Sequence, residues 1–167
     1  MYNDDASRLV SEPTAGPLFS AQADDTDTES GTIYVLRSLS DHPFVAANRD
    51  LLHKIGVTGG SVESRIANAK LDPTFLMADV EIIATYQLYN INRSKLEKLI
   101  HRVFEPAKLD ISIPDRLGKS VVPREWFLVP LFSINDAVEK IRQGDIDRWV
   151  YDKREARLVD TLTGQPS

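Results

Sequence analysis

At Gly31 the chain switches from polar, aperiodic sequence to a run of strand-forming residues, Thr32-Ile33-Tyr34-Val35-Leu36, and a second run follows at Leu52-His53-Lys54-Ile55-Gly56-Val57-Thr58. Branched and aromatic side chains suit a pleated, half-buried surface, so the pair predicts two strands joined by an unusually long loop, Ser38 to Leu51. Gly59-Gly60 breaks the second strand and Ser61 offers a helix N-cap, after which Val62, Ile66 and Ala69 recur at helical spacing up to Pro73. That short helix carries Arg65. Val80 to Tyr86 reads as a third strand, apolar enough to be buried on both faces. The clearest helix begins near Asn92, because Leu96, Leu99, Ile100, Val103 and Phe104 fall at i, i+3, i+4, i+7 and i+8 before Pro106 stops it. A loop punctuated by Pro and Gly, Asp110 to Pro123, leads to a further strand at Glu125 to Val129, and a helix follows from about Asn135 to Gln143. The tail past Gly144 keeps Ile146, Trp149, Val150 and Leu158 among many charges and reads as a weakly packed helix.

With 167 residues and 42% hydrophobic composition, the chain can build one ordinary core. The division expected is a flexible acidic leader or linker over 1–30, a folded domain over 31–143, and a charged helix or tail over 144–167. The leader also suits a domain attached to a longer protein. No apolar run approaches the roughly 18 residues that span a bilayer, and Met1 to Val10 lacks the pattern of an export signal, so a soluble cytoplasmic protein is expected. The absence of cysteine excludes disulfides and thiolate metal sites, and three histidines (His42, His53, His101) make a histidine-rich zinc site a poor fit. Any metal would be held mainly by oxygen.

The net charge of -5 is unevenly distributed: residues 1–30 contribute -6 and the remainder +1. Between Arg93 and Arg124 eight Lys or Arg face four acids, an excess of +4. Arg93, Arg102, Lys108 and Arg124 could form a phosphate-facing surface, or the stretch could be a solvated helix face and loop.

Alternation places Tyr34 opposite in sense to Ile33 and Val35, and Lys54 opposite to Ile55 and Val57, so Tyr34 and Lys54 share a sheet face. An ammonium beside a phenol favours phenolate, which makes Tyr34 a candidate general base; taken alone, a strand tyrosine is more often an amphipathic core residue with a hydrogen-bonded tip. Glu97 flanks the hydrophobic stripe of its helix, where a carboxylate can reach a hard cation in a cleft or pair with Arg93 at the surface. His101, one turn on, could assist Glu97, contact a phosphate, or be a half-buried helix histidine. Arg65 could clamp a phosphoryl group with its planar fork or remain solvated. Gly59-Gly60 lacks the Gly-Lys-Ser/Thr ending of a phosphate loop and reads as a turn.

Taken in order, Thr32-Ile33-Tyr34, Lys54-Ile55-Gly56, Arg65, and Glu97 with His101 resemble the GIY-YIG nuclease superfamily. The likeness is to the branch in which K-I-G replaces Y-I-G, the glutamate helix reads E-x-x-x-H, and an E-W-F strand follows, here Glu125-Trp126-Phe127. It covers about residues 31 to 143. Thr32 stands where the first motif has glycine, Lys54 replaces the second tyrosine, the Ser38 to Leu51 loop is longer than usual, and no counterpart is placed for the asparagine some members carry.

The resemblance implies an α/β (α+β) fold: a small antiparallel three-stranded sheet flanked by helices, with an added C-terminal strand and helix. It also implies an endonuclease acting on DNA with one magnesium (or manganese) ion. Tyr34 with Lys54 would take a proton from water, Arg65 would offset phosphoryl charge, Glu97 would bind the metal with His101 nearby, and cleavage would leave 5′-phosphate and 3′-hydroxyl ends. Two other readings stand beside it. One is a nucleic-acid-binding module that no longer cuts; the other is an assembly domain of a larger protein, with Trp126, Phe127, Phe132 and Trp149 as an apolar contact surface.

Overall fold

The computed structural model describes residues 29–167; all but the last two residues of the acidic leader lie outside the described residues. Strand β1 (Glu29–Ser38) lies at the centre of a four-stranded sheet. It pairs antiparallel with β2 (Leu52–Thr58) on one side and β3 (Val80–Ile91) on the other, and β6 (Trp126–Leu128) adds antiparallel to β2, giving the order β3-β1-β2-β6. The α+β class, the three-stranded antiparallel unit and the added C-terminal strand and helix are therefore as expected.

The sheet is buried on both faces because its central strands alternate two apolar sets. Ile33, Val35, Ile55 and Val57 face α3 (Arg93–Val103) and α4 (Leu131–Gln143), whose Leu96, Ile100, Val103, Ile134, Val138 and Ile141 complete the main core. Tyr34 and Leu36 face the other way, against Val62 of α2 (Val62–Ile66), Ala69 and Phe75. Each large apolar side chain so buried contributes about 1.5–3 kcal/mol relative to exposure. A third cluster around Trp126, Leu52, Val45, Leu109 and Ile113 closes the end of the sheet, where the Trp126 indole donates to the Thr74 carbonyl at 2.9 Å.

The predicted cap Ser61 accepts from the Ser64 N–H at 3.2 Å. Two further caps are found: Asn92 accepts from the Lys95 N–H at 2.9 Å at the start of α3, and Gly144 closes α4 in the left-handed conformation with φ 84. The long loop contains a short helix, α1 (Pro43–Ala47), capped by His42, and Arg49 bonds back to the carbonyls of Ser38 and Ser40, so its ends are tied.

Three expectations are corrected. Strand β3 is an edge strand with alternate residues exposed, not one buried on both faces, because only β1 pairs with it. Helix α4 starts at Leu131, four residues before the predicted position, with Pro130 preceding it. The tail is a hairpin, β7 (Trp149–Asp152) and β8 (Arg157–Asp160), not a weakly packed helix. Its charges are gathered in the turn, where Asp152 accepts from the N–H groups of Arg154 and Glu155, while Tyr151 and Leu158 enter the main core. Among the described residues no helix is long and apolar enough to cross a membrane.

Candidate active site

Strand β6 pairs with β2 only across Leu52, His53 and Lys54, which leaves the outer edge of β2 open from Ile55 onward. Unpaired backbone groups there need partners. The Ile55 N–H donates to the carbonyl of Glu125 at 3.0 Å, and the Ile55 carbonyl accepts from Nε2 of His101 at 2.9 Å. A strand end and helix α3 thus converge on one residue. Glu125 does this with φ 70, a left-handed conformation uncommon outside glycine and found where function or packing enforces it.

Each residue of Lys54-Ile55-Gly56 has a separate task. Ile55 sends its side chain into the main core and its backbone to Glu125 and His101. Gly56 stands opposite Tyr34 in the ladder, and a β-carbon there would meet the Tyr34 ring and hydroxyl at 2.4 Å. The glycine is therefore what lets the tyrosine ring lie across β2. Lys54 is on the same face as Tyr34, as alternation predicted; its side chain is 3% exposed and its ammonium lies 5.0 Å from the Phe75 ring centroid. That ammonium donates to Oε1 of Glu125 at 2.7 Å.

The electrostatics follow from this packing. Burial raises the Tyr34 pKa, and the Arg65 guanidinium beside it pulls the other way without closing a hydrogen bond of ordinary geometry, so the hydroxyl has no partner. The expectation that Lys54 lowers this pKa is corrected: Lys54 is engaged by Glu125, and burial outweighs Arg65. Burial and the neighbouring Glu125 carboxylate push Glu97 up to about 7, against the pull of Lys54 and Arg65. Glu125 moves the opposite way: burial would raise it, but the Lys54 ammonium and a hydrogen bond from Glu97 hold it below the usual carboxylate range. The raised Glu97 and the lowered Glu125 are two sides of one interaction, in which adjacent carboxyl groups oppose each other's ionisation. Burial also lowers His101, whose Nε2 carries the proton given to Ile55, leaving Nδ1 with a free lone pair.

Glu97, His101 and Glu125 each offer a ligand atom, all within 4.8 Å of one another. These three line an open cleft of about 540 Å³ with Ser94, Lys98, Glu105, Lys108, Arg124 and Phe127. The fold brings together Tyr34, Lys54, Arg65, Glu97 and His101, and adds Glu125. That residue heads the E-W-F run and was read only as the start of a strand; an acid next to two buried aromatics was the available signal.

The four basic residues separate. Lys108 and Arg124 line the cleft. Arg102 reaches the Ile146 carbonyl at 3.5 Å, toward the C-terminal hairpin, and Arg93 donates to the Ser30 carbonyl at 2.9 Å with its guanidinium laid over Gly59. The apolar contact surface is also corrected: Trp126 and Phe127 are buried and Trp149 is covered by Lys140, whose ammonium sits 4.1 Å from its ring centroid, leaving only Phe132 of the four exposed.

Comparison with known proteins gives two matches. The uncharacterized protein YeeC of Bacillus subtilis (strain 168) is 46% identical over 115 residues, covering 69% of this chain and 30% of that protein. No solved structure matches. The T5orf172 domain matches residues 31–142, which takes in nearly all of the sheet, α3, all but the last residue of α4 and every residue of the cleft, and the chain belongs to the T5orf172 domain family.

Proposed function

We propose that this domain is a metal-dependent endonuclease of the GIY-YIG type that hydrolyses phosphodiester bonds in DNA. The observation that carries the reading is the convergence of Glu97, His101 and Glu125 to within 4.8 Å in a cleft rimmed by Lys98, Lys108 and Arg124. Two carboxylates and one imidazole form an oxygen-rich donor set that suits magnesium or manganese. The opposed ionisation of Glu97 and Glu125 marks a place where like charges need a counter-charge, so the residues present fit such an ion. A divalent cation held there would supply Lewis-acid stabilisation of charge growing on the phosphodiester oxygens.

The chain's own residues account for the rest. Arg65 carries a permanent positive charge beside Tyr34, where it offsets charge on the phosphoryl group. The partnerless Tyr34 hydroxyl orients the attacking water. Lys54, on the Tyr34 face of the sheet, donates to Glu125 at 2.7 Å and so keeps that carboxylate charged for the cation. Lys108 and Arg124 hold the flanking backbone by charge. The matched region is 30% of the Bacillus relative, which supports reading this unit as a catalytic module that takes its specificity from attached domains.

Supercoiled plasmid incubated with magnesium tests the reading. The wild-type chain nicks or linearises it and leaves 5′-phosphate and 3′-hydroxyl ends, and Glu97→Ala abolishes this while keeping its circular dichroism spectrum. Equal cleavage by both proteins would sink the assignment of Glu97, and salt-sensitive binding without cleavage would identify a binding module instead.

A further inference from the structure

A small hairpin stands at the rim of the cleft and plays no part in the chemistry above. The chain leaves the rim at Lys108 and returns to it at Arg124, both cleft residues. Between them β4 (Ile113–Pro114) and β5 (Ser120–Val121) pair antiparallel. The root is anchored: Leu109 donates from its N–H to the Trp126 carbonyl at 2.8 Å, and Leu109 and Ile113 are buried against Trp126.

The tip is rigid and oddly apolar. The Asp115 carboxylate accepts from the N–H groups of Leu117 at 2.8 Å and Lys119 at 2.9 Å, the Asp115 N–H donates to the Lys119 carbonyl at 2.8 Å, and Gly118 takes φ 82. This ordered turn holds Leu117 at 93% exposure between the exposed cations Arg116 and Lys119. A leucine that packs on nothing, at the end of a pre-ordered turn and flanked by cations, fits a surface that is both anionic and able to take an apolar wedge. A nucleic-acid duplex is such a surface, with phosphates lining grooves whose floors are base edges and base steps. The two strand residues Ile113 and Pro114 carry the turn roughly 7 Å beyond its anchor, comparable to the depth of a groove.

We propose that this hairpin is a duplex-reading finger: Leu117 enters a groove beside the phosphate held in the cleft, and Arg116 and Lys119 contact the backbone on either side. The inference rests on the nuclease reading for the location of the cleaved phosphate. Binding is its readout, so the two can fail separately.

The test is fluorescence anisotropy of a labelled mixed-sequence DNA duplex with the 167-residue chain, without added magnesium, across a series of salt concentrations. Against wild type, Arg116→Ala/Lys119→Ala is expected to weaken binding about tenfold at roughly 0.1 M salt and to lower the slope of log affinity against log salt by about two. Leu117→Asp should weaken duplex binding at least as much, and Leu117→Ala should weaken it several-fold for the duplex while leaving a single strand of the same sequence unaffected. Each residue is exposed, so melting temperatures should not change. Hairpin variants that bind the duplex with wild-type affinity and salt slope would overturn the finger even if the wild type cleaves plasmid. So would a wild-type chain that binds no duplex at low salt, or binds only vesicles of anionic phospholipid. Weakened binding by the variants of a wild type that never cleaves would keep the finger and remove the nuclease.

Discussion

Leu96 and Glu97 are adjacent on α3 and face different parts of the molecule. Leu96, with Ile100 and Val103, is fully buried against Ile33, Val35, Ile55 and Val57. Glu97, with His101, lies one helical step to the side, at the open edge of β2, where it meets Glu125, Lys54 and Arg65. The first stripe has only apolar neighbours and holds the helix on the sheet. The second is half-buried among ionisable groups, and its strain is visible in the left-handed Glu125, the partnerless Tyr34 hydroxyl and the raised Glu97 pKa. One helix therefore carries stability and chemistry on neighbouring stripes, and substitutions should separate the two.

The largest expected effect is on the second stripe. Glu97→Gln and Glu125→Gln should each reduce single-turnover DNA cleavage by about a thousand-fold or more; Glu125→Gln should also lower the melting temperature, because it leaves the buried Lys54 ammonium without its carboxylate, whereas Glu97→Gln, which removes one of two opposed carboxyls, should melt no lower than wild type. A fall in the Glu97→Gln melting temperature that matched the loss of activity would erase the distinction between the stripes. On the first stripe, Leu96→Ala should cost about 2–5 kcal/mol in denaturant unfolding, with cleavage per folded molecule close to wild type. Gly56→Ala lies between them: its β-carbon must displace the Tyr34 ring, so cleavage should fall by tens-fold to a hundred-fold with a smaller loss of stability.

A subtler separation is in pH. The Glu97 carboxyl titrates near about 7 when folded and, as a free carboxyl in the unfolded chain, near roughly 4.3, so between those values the folded state keeps a proton that the unfolded state has released. Stability in chelator should therefore fall as pH rises across that window, and Glu97→Gln should lack this component. The lowered Glu125 acts with the opposite sign and at more acidic pH, where stability is lost as the carboxylate is protonated. The smallest effect is expected from Arg102→Ala, whose side chain points to Ile146 and away from the cleft: DNA binding should change little, whereas Arg124→Ala should weaken it measurably in the same titration.

Strands β1, β2, β3 and β6, the cap of α2 and the shared face of Tyr34 and Lys54 were legible because each depends on local period or on one capping side chain. The five residues brought together at the edge of β2 were legible as a series of short motifs. Glu125 was not, because its role depends on β6 beginning only at Trp126, a pairing limit that no local pattern records. Arg93 was read as a phosphate-facing residue or a surface partner of Glu97, because the space that receives it is made by two distant glycines, Gly31 and Gly59, which only the fold brings beside it. The tail was misread because its charges cluster in one tight turn, and sequence alone gave that cluster the look of a solvated helix.

Manganese binding followed by isothermal titration tests most directly whether the open edge of β2 is a metal centre. The wild-type chain should bind one ion per molecule, Arg102→Ala should do the same, and both Glu97→Gln and Glu125→Gln should lose it. Binding of no ion by the wild type, or undiminished binding by Glu125→Gln, would contradict the assembly of the site from α3 and the start of the E-W-F strand.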